Sequence, residues 1–244
     1  MIKSLSIILP VYNEQLRLKS AFSSILNFLK RRNFKTEIIF VDDGSTDNSF
    51  KMINSFIEKH QKKKLKKKIK IKIIKSKNNL GKGSALKLGV KNAKFDWILT
   101  ADVDMSVSLS QINIWLQKKL INKKHFVYIA SRAHEKSIVK WDFFRNILGL
   151  IMRLFTFGIL NIKIKDTQCG FKLYKKKVAK PIFLKLKDHG FSHDVELILL
   201  LKNRKIKITE LPVKWVHKKD SKLNLFWDPV KMLFGIFITK FRYL

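Results

Sequence analysis

The stretch "TEIIFVDDGSTDNSFKMINSFIEKH" (36–60) changes character twice. It opens on "EIIFV", an apolar run too short for a helix and rich in β-branched residues, which reads as a buried strand. A turn of Asp, Gly and Ser follows, and "FKMINSFIEKH" (50–60) then reads as a helix. A buried strand closed by a polar turn and followed by a helix is the repeating unit of a parallel α/β sheet.

The unit recurs on both sides. Upstream, "LSIIL" (5–9) is closed by Pro10, and "EQLRLKSAFSSILNFLKRR" (14–32) sets Leu18, Phe22, Ile25, Leu26 and Leu29 at helical spacing. Downstream, "KKKLKKKIKIKIIK" (62–75) starts as a charge run and becomes alternating, which suits an edge strand. "NNLGKGSALKLGVKNA" (78–93) is a glycine-punctuated loop opening a helix, and "DWILTADVD" (96–104) is a further strand. Short connections between such units predict an α/β fold with a doubly wound, mostly parallel sheet flanked by helices. In these sheets ligands bind beyond the carboxyl ends of the strands. Pro10 to Glu14, Asp42 to Asp47 and Asp102 to Asp104 each follow such an end, so three polar sets converge on one edge.

Asp102 and Asp104 stand one residue apart at the mouth of an apolar run. Two like charges that close raise each other's proton affinity unless a cation lies between them. An isolated pair of this kind is ordinarily a solvated turn; its convergence with the other two sets argues for a site.

The second half is less regular. "HFVYIASRAH" (125–134) reads as a strand, and "WDFFRNILGLIMRLFTFGILNI" (141–162) is apolar over most of its circumference, interrupted by Arg145 and Arg153. "DTQCGFKLYKK" (166–176) reads as a turn and short strand, "DVELILLLKNR" (194–204) as an apolar helix with two acids in its first turn, and "ITELPVKWVH" (208–217) as strand-like. With no repeat and no linker, residues 1–244 read as a single domain.

Of the 244 residues, 52 are Lys or Arg and 18 Asp or Glu, a formal net charge of +34. Part of this reflects compositional drift toward Ile, Asn and Lys; the rest implies polyanionic partners. A nucleic-acid-binding protein is the non-enzymatic alternative, but it calls for stacking aromatics among the basic residues. The run 62–75 has no aromatic, so no nucleic-acid partner is expected. The single Cys169 excludes an intramolecular disulfide framework, and six His with one Cys argue against a zinc site. The amino-terminal apolar run is too short for a secretory signal. "LNLFWDPVKMLFGIFITKFRYL" (223–244) is broken by Asp228, Pro229, Lys231 and Lys240, so no membrane span is expected.

"ILPVYNE", "FVDDGSTD", "NLGKGSALKLGV" and "ADVD", in this order, resemble the nucleotide-sugar half of GT-A family 2 glycosyltransferases. "SRAH", "DTQCGFKLY", "HDVELILL" and "SKL…FW" resemble the branch that glucosylates dolichyl or other polyprenyl phosphates. The resemblance spans nearly the whole chain, with 1–104 as nucleotide-sugar half, 105–222 as acceptor half and 223–244 as an apolar tail.

It implies inverting transfer of glucose from UDP-glucose to a dolichyl or undecaprenyl phosphate. Asp104 would bind Mg2+ or Mn2+ directly, with Asp102 on the ribose or the metal. Asp42 would accept the uracil N3–H, while Pro10, Tyr12 and Glu14 shape the nucleoside slot with Asp43 beside them. Gly81 and Gly83 would let the backbone approach the ligand, and Lys82 would meet its phosphates. A lipid monophosphate is already an anionic nucleophile, so it needs cations more than a base. Arg132 is the first candidate, with Lys172 and Arg145 behind it. Asp194 and Glu196 occupy the region where relatives with hydroxyl acceptors keep a base, and here would position the sugar or Arg132. GDP-mannose as donor, or a hydroxyl acceptor, remains the alternative. Eukaryotic members carry an amino-terminal anchor that is not seen here. The expectation is therefore peripheral attachment at the cytoplasmic face of an anionic membrane, through 141–162 and the tail, with Trp141, Phe226, Trp227, Arg242 and Tyr243 at the interface.

Overall fold

The computed structural model describes residues 2–62, 68–122, 124–140, 143–190, 192–218 and 227–243. In chain order its elements are β1 (Ser4–Val11), α1 (Gln15–Arg31), β2 (Lys35–Asp42), α2 (Ser49–Lys62), β3 (Ile69–Lys75), α3 (Lys82–Asn92), β4 (Trp97–Thr100) and α4 (Gln111–Gln117). Next come β5 (Val127–Ser131), β6 (Ile138–Lys140), α5 (Phe143–Leu160), β7 (Lys172–Lys175), α6 (Lys176–Lys185), α7 (His193–Asn203), β8 (Ile208–Pro212), β9 (Lys214–Val216) and α8 (Trp227–Tyr243).

A seven-stranded sheet in the order β3-β2-β1-β4-β7-β5-β8 runs through both halves of the chain. Side chains alternate across each strand, and both faces of the sheet are covered. Ile7 and Leu9 of β1 join Ile38 and Phe40 of β2 in the core under α1 and α2. Ile8, Ile39 and Val41 face the opposite way, against Leu86 and Val90 of α3. That two-sided burial is why β1 and β2 read as continuous apolar runs. Among the described residues β3 pairs only with β2, and it leaves Lys70 and Lys75 exposed, as expected of an edge strand. The helix α3 lies so close to β1 that a Cβ on Gly89 would come within 2.3 Å of Ile8 Cγ2.

Three features depart from the sequence reading. The expected strand 96–104 ends at Thr100, so Asp102 and Asp104 sit on a turn beyond the sheet, with Met105 in the left-handed region at φ 56°. β7 inserts antiparallel between β4 and β5. The expected strand 208–217 divides at Val213, whose amide donates to Ser137 Oγ at 2.9 Å; β9 pairs with β6 in a small second sheet. Among the described residues no helix is long and apolar enough to cross a membrane.

Candidate active site

At the carboxyl ends of β1, β2 and β4 lies a cavity of about 530 Å3. Its walls come from four groups of residues.

The first is the β1–α1 turn. Asn13, at φ 53°, accepts hydrogen bonds through Oδ1 from the Thr46 and Asp47 amides at 2.8 and 3.2 Å. Ser49 Oγ accepts from the Glu14 amide at 2.7 Å, and Asp47 Oδ2 from the Gln15 amide at 3.2 Å. This lacing satisfies amides at the start of α1 and fixes Pro10, Tyr12 and Glu14 in the cavity wall. Tyr12 is 39% exposed. Arg17, one turn into α1, pairs with Glu14 at 3.3 Å and lies 3.8 Å from Asp104.

The second is the glycine loop. Asp43 accepts the Leu80 and Gly81 amides at 3.1 and 2.7 Å. Burial pushes its carboxyl up, against those two amides. Gly81 stands at φ 97°, and a Cβ there would fall 2.3 Å from the His189 carbonyl oxygen. A Cβ on Gly83 would fall 2.5 Å from that of Asp188. Both glycines let α3 seat against the 188–190 loop; Gly83 serves that packing rather than approach to a ligand, and only Gly81 borders the cavity.

The third is the acidic turn. Asp102 and Asp104 both line the cavity, and Lys82 Nζ lies 2.6 Å from Asp102 Oδ1. Gly170 cradles this carboxylate, since a Cβ there would lie 2.4 Å from Asp102 Oδ2. Burial works against the Lys82 ammonium, but Asp102, Asp194 and Asp104 outweigh it and hold its proton above the usual range. Burial also raises the Asp102 carboxyl, yet Lys82 and, further off, Lys172 bring it below its ordinary value. Asp104 goes the other way, pushed up by burial and by the charge of Asp102, with the Ser106 amide opposing. Among the described residues no three His, Cys, Asp or Glu side chains form a ready cation cage. Two carboxylates facing one cavity fit a hard divalent cation that completes its shell with phosphate oxygens and water.

The fourth is the arginine wall. Arg132 follows β5, and its Nε and Nη2 donate to the two oxygens of Asp166 at 2.7 and 2.8 Å. Asp166 also accepts the Arg132 amide at 2.9 Å, and Glu210 in turn accepts the Asp166 amide at 3.2 Å. Burial disfavours the guanidinium, but Asp166 beside it more than compensates and lifts its pKa. The guanidinium carbon lies 5.9 Å from the Trp215 ring centroid. Beneath, Cys169 is a packed thiol whose pKa burial, with Asp166, pushes up to about 12.

Several residues named from the sequence stand elsewhere. Asp42, the last residue of β2, is fully buried and does not line the cavity; its neighbour Asp43 does. Lys172 is 1% exposed, ion-paired with Asp194, and does not line the cavity. Asp194 does line the cavity. Glu196 is fully buried and accepts the Lys187 and Asp188 amides and the Tyr243 hydroxyl, which makes it a clamp for the loop before α7. The side chain of Arg145, and all of Trp141 and Phe226, lie outside the described residues. Sequence reasoning missed Arg17 and Asp166. Arg17 could have been found as a cation three residues after Glu14 at a helix start; Asp166 opens the "DTQCG" motif.

A doubly wound sheet with an inserted antiparallel strand and an acidic pair on the turn after β4 defines a GT-A glycosyltransferase. The chain belongs to glycosyl transferase family 2, whose profile matches residues 6–183. The dolichyl-phosphate beta-glucosyltransferase of Dictyostelium discoideum is 34% identical over 250 residues, spanning 98% of this chain and 75% of that protein. That of Saccharomyces cerevisiae is 33% identical over 255 residues, again spanning 98% and 75%. Among solved structures, glucosyl-3-phosphoglycerate synthase from Mycobacterium tuberculosis, in complex with Mn2+, UDP and phosphoglyceric acid, superposes with a TM-score of 0.69 at 14% identity. That match covers 98% of this chain and 78% of that one, and it carries the fold alone.

Proposed function

We propose that this glycosyltransferase moves glucose from UDP-glucose to the phosphate of a polyprenyl phosphate, dolichyl or undecaprenyl, with inversion at C1. The observation that carries the reading is one cavity in which the acidic turn, already flanked by Lys82 and Arg17, faces an arginine gripped from behind by Asp166. The dolichyl-phosphate glucosyltransferases at 33 and 34% identity support the acceptor and the sugar.

Tyr12 offers its ring to the base, and Asp43, rather than Asp42, offers an acceptor to a pyrimidine N–H. Asp102 and Asp104 would hold Mg2+ or Mn2+. When bound, that cation supplies Lewis-acid neutralisation of the charge developing on the departing diphosphate. Lys82 and Arg17 add their own charge to the same phosphates. Arg132 holds the acceptor phosphate in line with C1; one of its oxygens forms the new bond to C1 as the C1–O bond to UDP breaks, and the electron pair leaves with UDP. The nucleophile is already ionised, so no base has to take a proton. Asp194 positions the sugar or the acceptor, and the acceptor lies in the half formed by residues 105–222. A lipid acceptor places the enzyme peripherally at the cytoplasmic face of an anionic membrane.

Incubating the purified chain with a polyprenyl phosphate and a panel of labelled nucleotide sugars, with Mn2+ or Mg2+, is expected to give lipid-phosphate glucose from UDP-glucose. Product from GDP-mannose alone overturns the donor, and product only with hydroxyl acceptors overturns the acceptor. Within the same assay, Asp166→Asn is expected to raise the KM for the acceptor about tenfold with a smaller change in kcat. It keeps the shape but weakens a charge-assisted pair worth roughly 1.5–3 kcal/mol. Asp166 is held below the usual carboxylate range: burial raises it, and Arg132 more than offsets that. The pair's contribution to folding is therefore present above about pH 4 and lost as pH falls further, so Asp166→Asn should flatten the acid limb of the stability profile.

A further inference from the structure

Helix α8 makes one contact that the transfer reaction does not use. Near its start Met232 lines the cavity beside Gln168. At its far end, away from the cavity, the Tyr243 hydroxyl donates to Glu196 Oε1 at 2.5 Å. Glu196 is fully buried, and it also accepts the Lys187 amide at 3.0 and 3.2 Å and the Asp188 amide at 2.7 Å. A buried acceptor deprived of a donor keeps its desolvation uncompensated. The hydroxyl therefore helps to fix where this carboxyl group, and the two amides on it, can sit.

Those amides open the 187–190 loop, and the glycine loop rests on it. The His189 carbonyl accepts the Gly83 amide at 2.9 Å, and Ser84 Oγ and His189 Nδ1 share a hydrogen bond at 2.5 Å. Lys87 Nζ donates to the Leu186 carbonyl at 2.8 Å, so the start of α3 is tied to this segment at three residues. The fit has no slack. A Cβ on Gly81 would fall 2.3 Å from the His189 carbonyl oxygen, and one on Gly83 2.5 Å from that of Asp188. Gly81, Lys82 and Gly190 all border the cavity, so displacing the 187–190 loop displaces groups in its wall. Helix α8 also bears on the residue before α7, since a Cβ on Gly235 would fall 2.0 Å from Ser192 Oγ.

We propose that Tyr243 and Glu196 are positioning residues for the donor: they hold the 187–190 loop, the loop sets Gly81 and Lys82 in the cavity wall, and docking of α8 thereby governs donor affinity. The linkage from α8 to the glycine loop stands on this geometry; its expression as donor affinity rests on the function proposed above.

Tyr243→Phe keeps the ring and removes only the hydroxyl. Calorimetry with UDP and Mn2+ is expected to show binding about fivefold weaker, the factor carried by one hydrogen bond. The KM for the nucleotide sugar should rise by a similar factor, with smaller changes in kcat and in the acceptor KM. Ser84→Ala cuts the same chain of contacts at His189 and is expected to weaken UDP likewise. Because the two contacts act in series, the double variant should bind UDP no more weakly than the weaker single variant. Effects that multiply in the double variant overturn the proposal, as does parental UDP affinity in Tyr243→Phe. Ile25→Val, a loss of packing in the core under α1, is the control for stability alone. It should lower the Tm and leave UDP binding unchanged; weakening equal to that of Tyr243→Phe overturns the proposal. Should Tyr243→Phe fail to fold, donor KM in Ser84→Ala decides instead, raised upholding the linkage and unchanged overturning it. A parent that binds no UDP refutes the proposed function. Hydrogen exchange then decides the linkage: a Gly83 amide that exchanges faster in Tyr243→Phe upholds it, and an unchanged one overturns it.

Discussion

Asp104→Asn is expected to lower turnover about a thousandfold, because a cation neutralising the leaving diphosphate is worth several kcal/mol and each ~1.4 kcal/mol is tenfold in rate. The substitution keeps the volume and one acceptor oxygen, and the Ser106 amide that donates to Asp104 Oδ1 at 2.8 Å retains a partner. What it removes is one of two anionic oxygen donors facing the cavity. Calorimetry is expected to show UDP uptake losing most of its dependence on Mn2+ or Mg2+; full metal-dependent uptake by the variant would refute the assignment. Stability should move the other way. Burial and Asp102 hold the folded Asp104 carboxyl above its ordinary value. A group of that kind stabilises the fold only below its unfolded pKa of about 4, and loses that contribution as pH rises through the folded value. At neutral pH the ionised carboxylate is therefore a cost, so Asp104→Asn should leave the Tm unchanged or raise it, with the difference shrinking as the solution is acidified toward pH 4. An active-site acid that weakens its own fold is expected where function, not packing, fixed the residue.

How far the sequence disclosed this arrangement depended on whether a feature was local. β1 and β2 were legible because burial on both faces turns a strand into an unbroken apolar run, and β3 because its lysines mark an uncovered edge. β7 was placed as a short strand, but its antiparallel insertion between β4 and β5 is set by partners that both lie more than 40 residues earlier in the chain, Thr100 pairing with Lys172 and Val127 with Tyr174. At the site the acidic turn and the glycine loop could be read, yet which of Asp42 and Asp43 lines the cavity could not. Adjacent residues at a strand end point opposite ways, and the choice turns on whether β2 closes at 41 or 42. Arg132 and Asp166 illustrate the same limit, since their bidentate contact joins the end of β5 to the loop before β7. Spacing carries no trace of such a contact; the acid was visible only as one member of "DTQCG". Lys172 departs in the opposite way. Among 52 cations a lysine in "GFKL" is naturally read as a phosphate ligand, yet here it is buried against Asp194 and does not line the cavity.

Replacing that lysine gives the second large effect. Lys172→Met is expected to destabilise the fold by about 3 kcal/mol, the lower end of the cost of removing one partner from a buried ion pair. Met keeps the length and most of the volume of the aliphatic stem, so a loss of that size reports the abandoned Asp194 carboxylate rather than a void. Lys172 and Asp194 have side-chain exposures of 1 and 7%, and His193 Nε2 lies 3.4 Å from Asp194 Oδ1. Desolvation drives the His193 pKa down against the pull of Asp194, and Lys82 and Lys172 push it the same way as burial. Adding Asp194→Asn to Lys172→Met should therefore restore much of the lost stability, since removing both charges is far less costly than removing one. The kinetic signature separates this role from the one the sequence implied. The charge of Lys172 also contributes to depressing Asp102 and Asp166, so it stands behind both the acidic turn and the acid that grips Arg132. Its loss should lower kcat modestly through both walls. A Lys172→Met protein of unchanged Tm, with only the acceptor KM raised, would return the residue to the acceptor phosphate. A melting point several degrees lower, recovered in the double variant, would make it the buried cation on which the acids of the site depend.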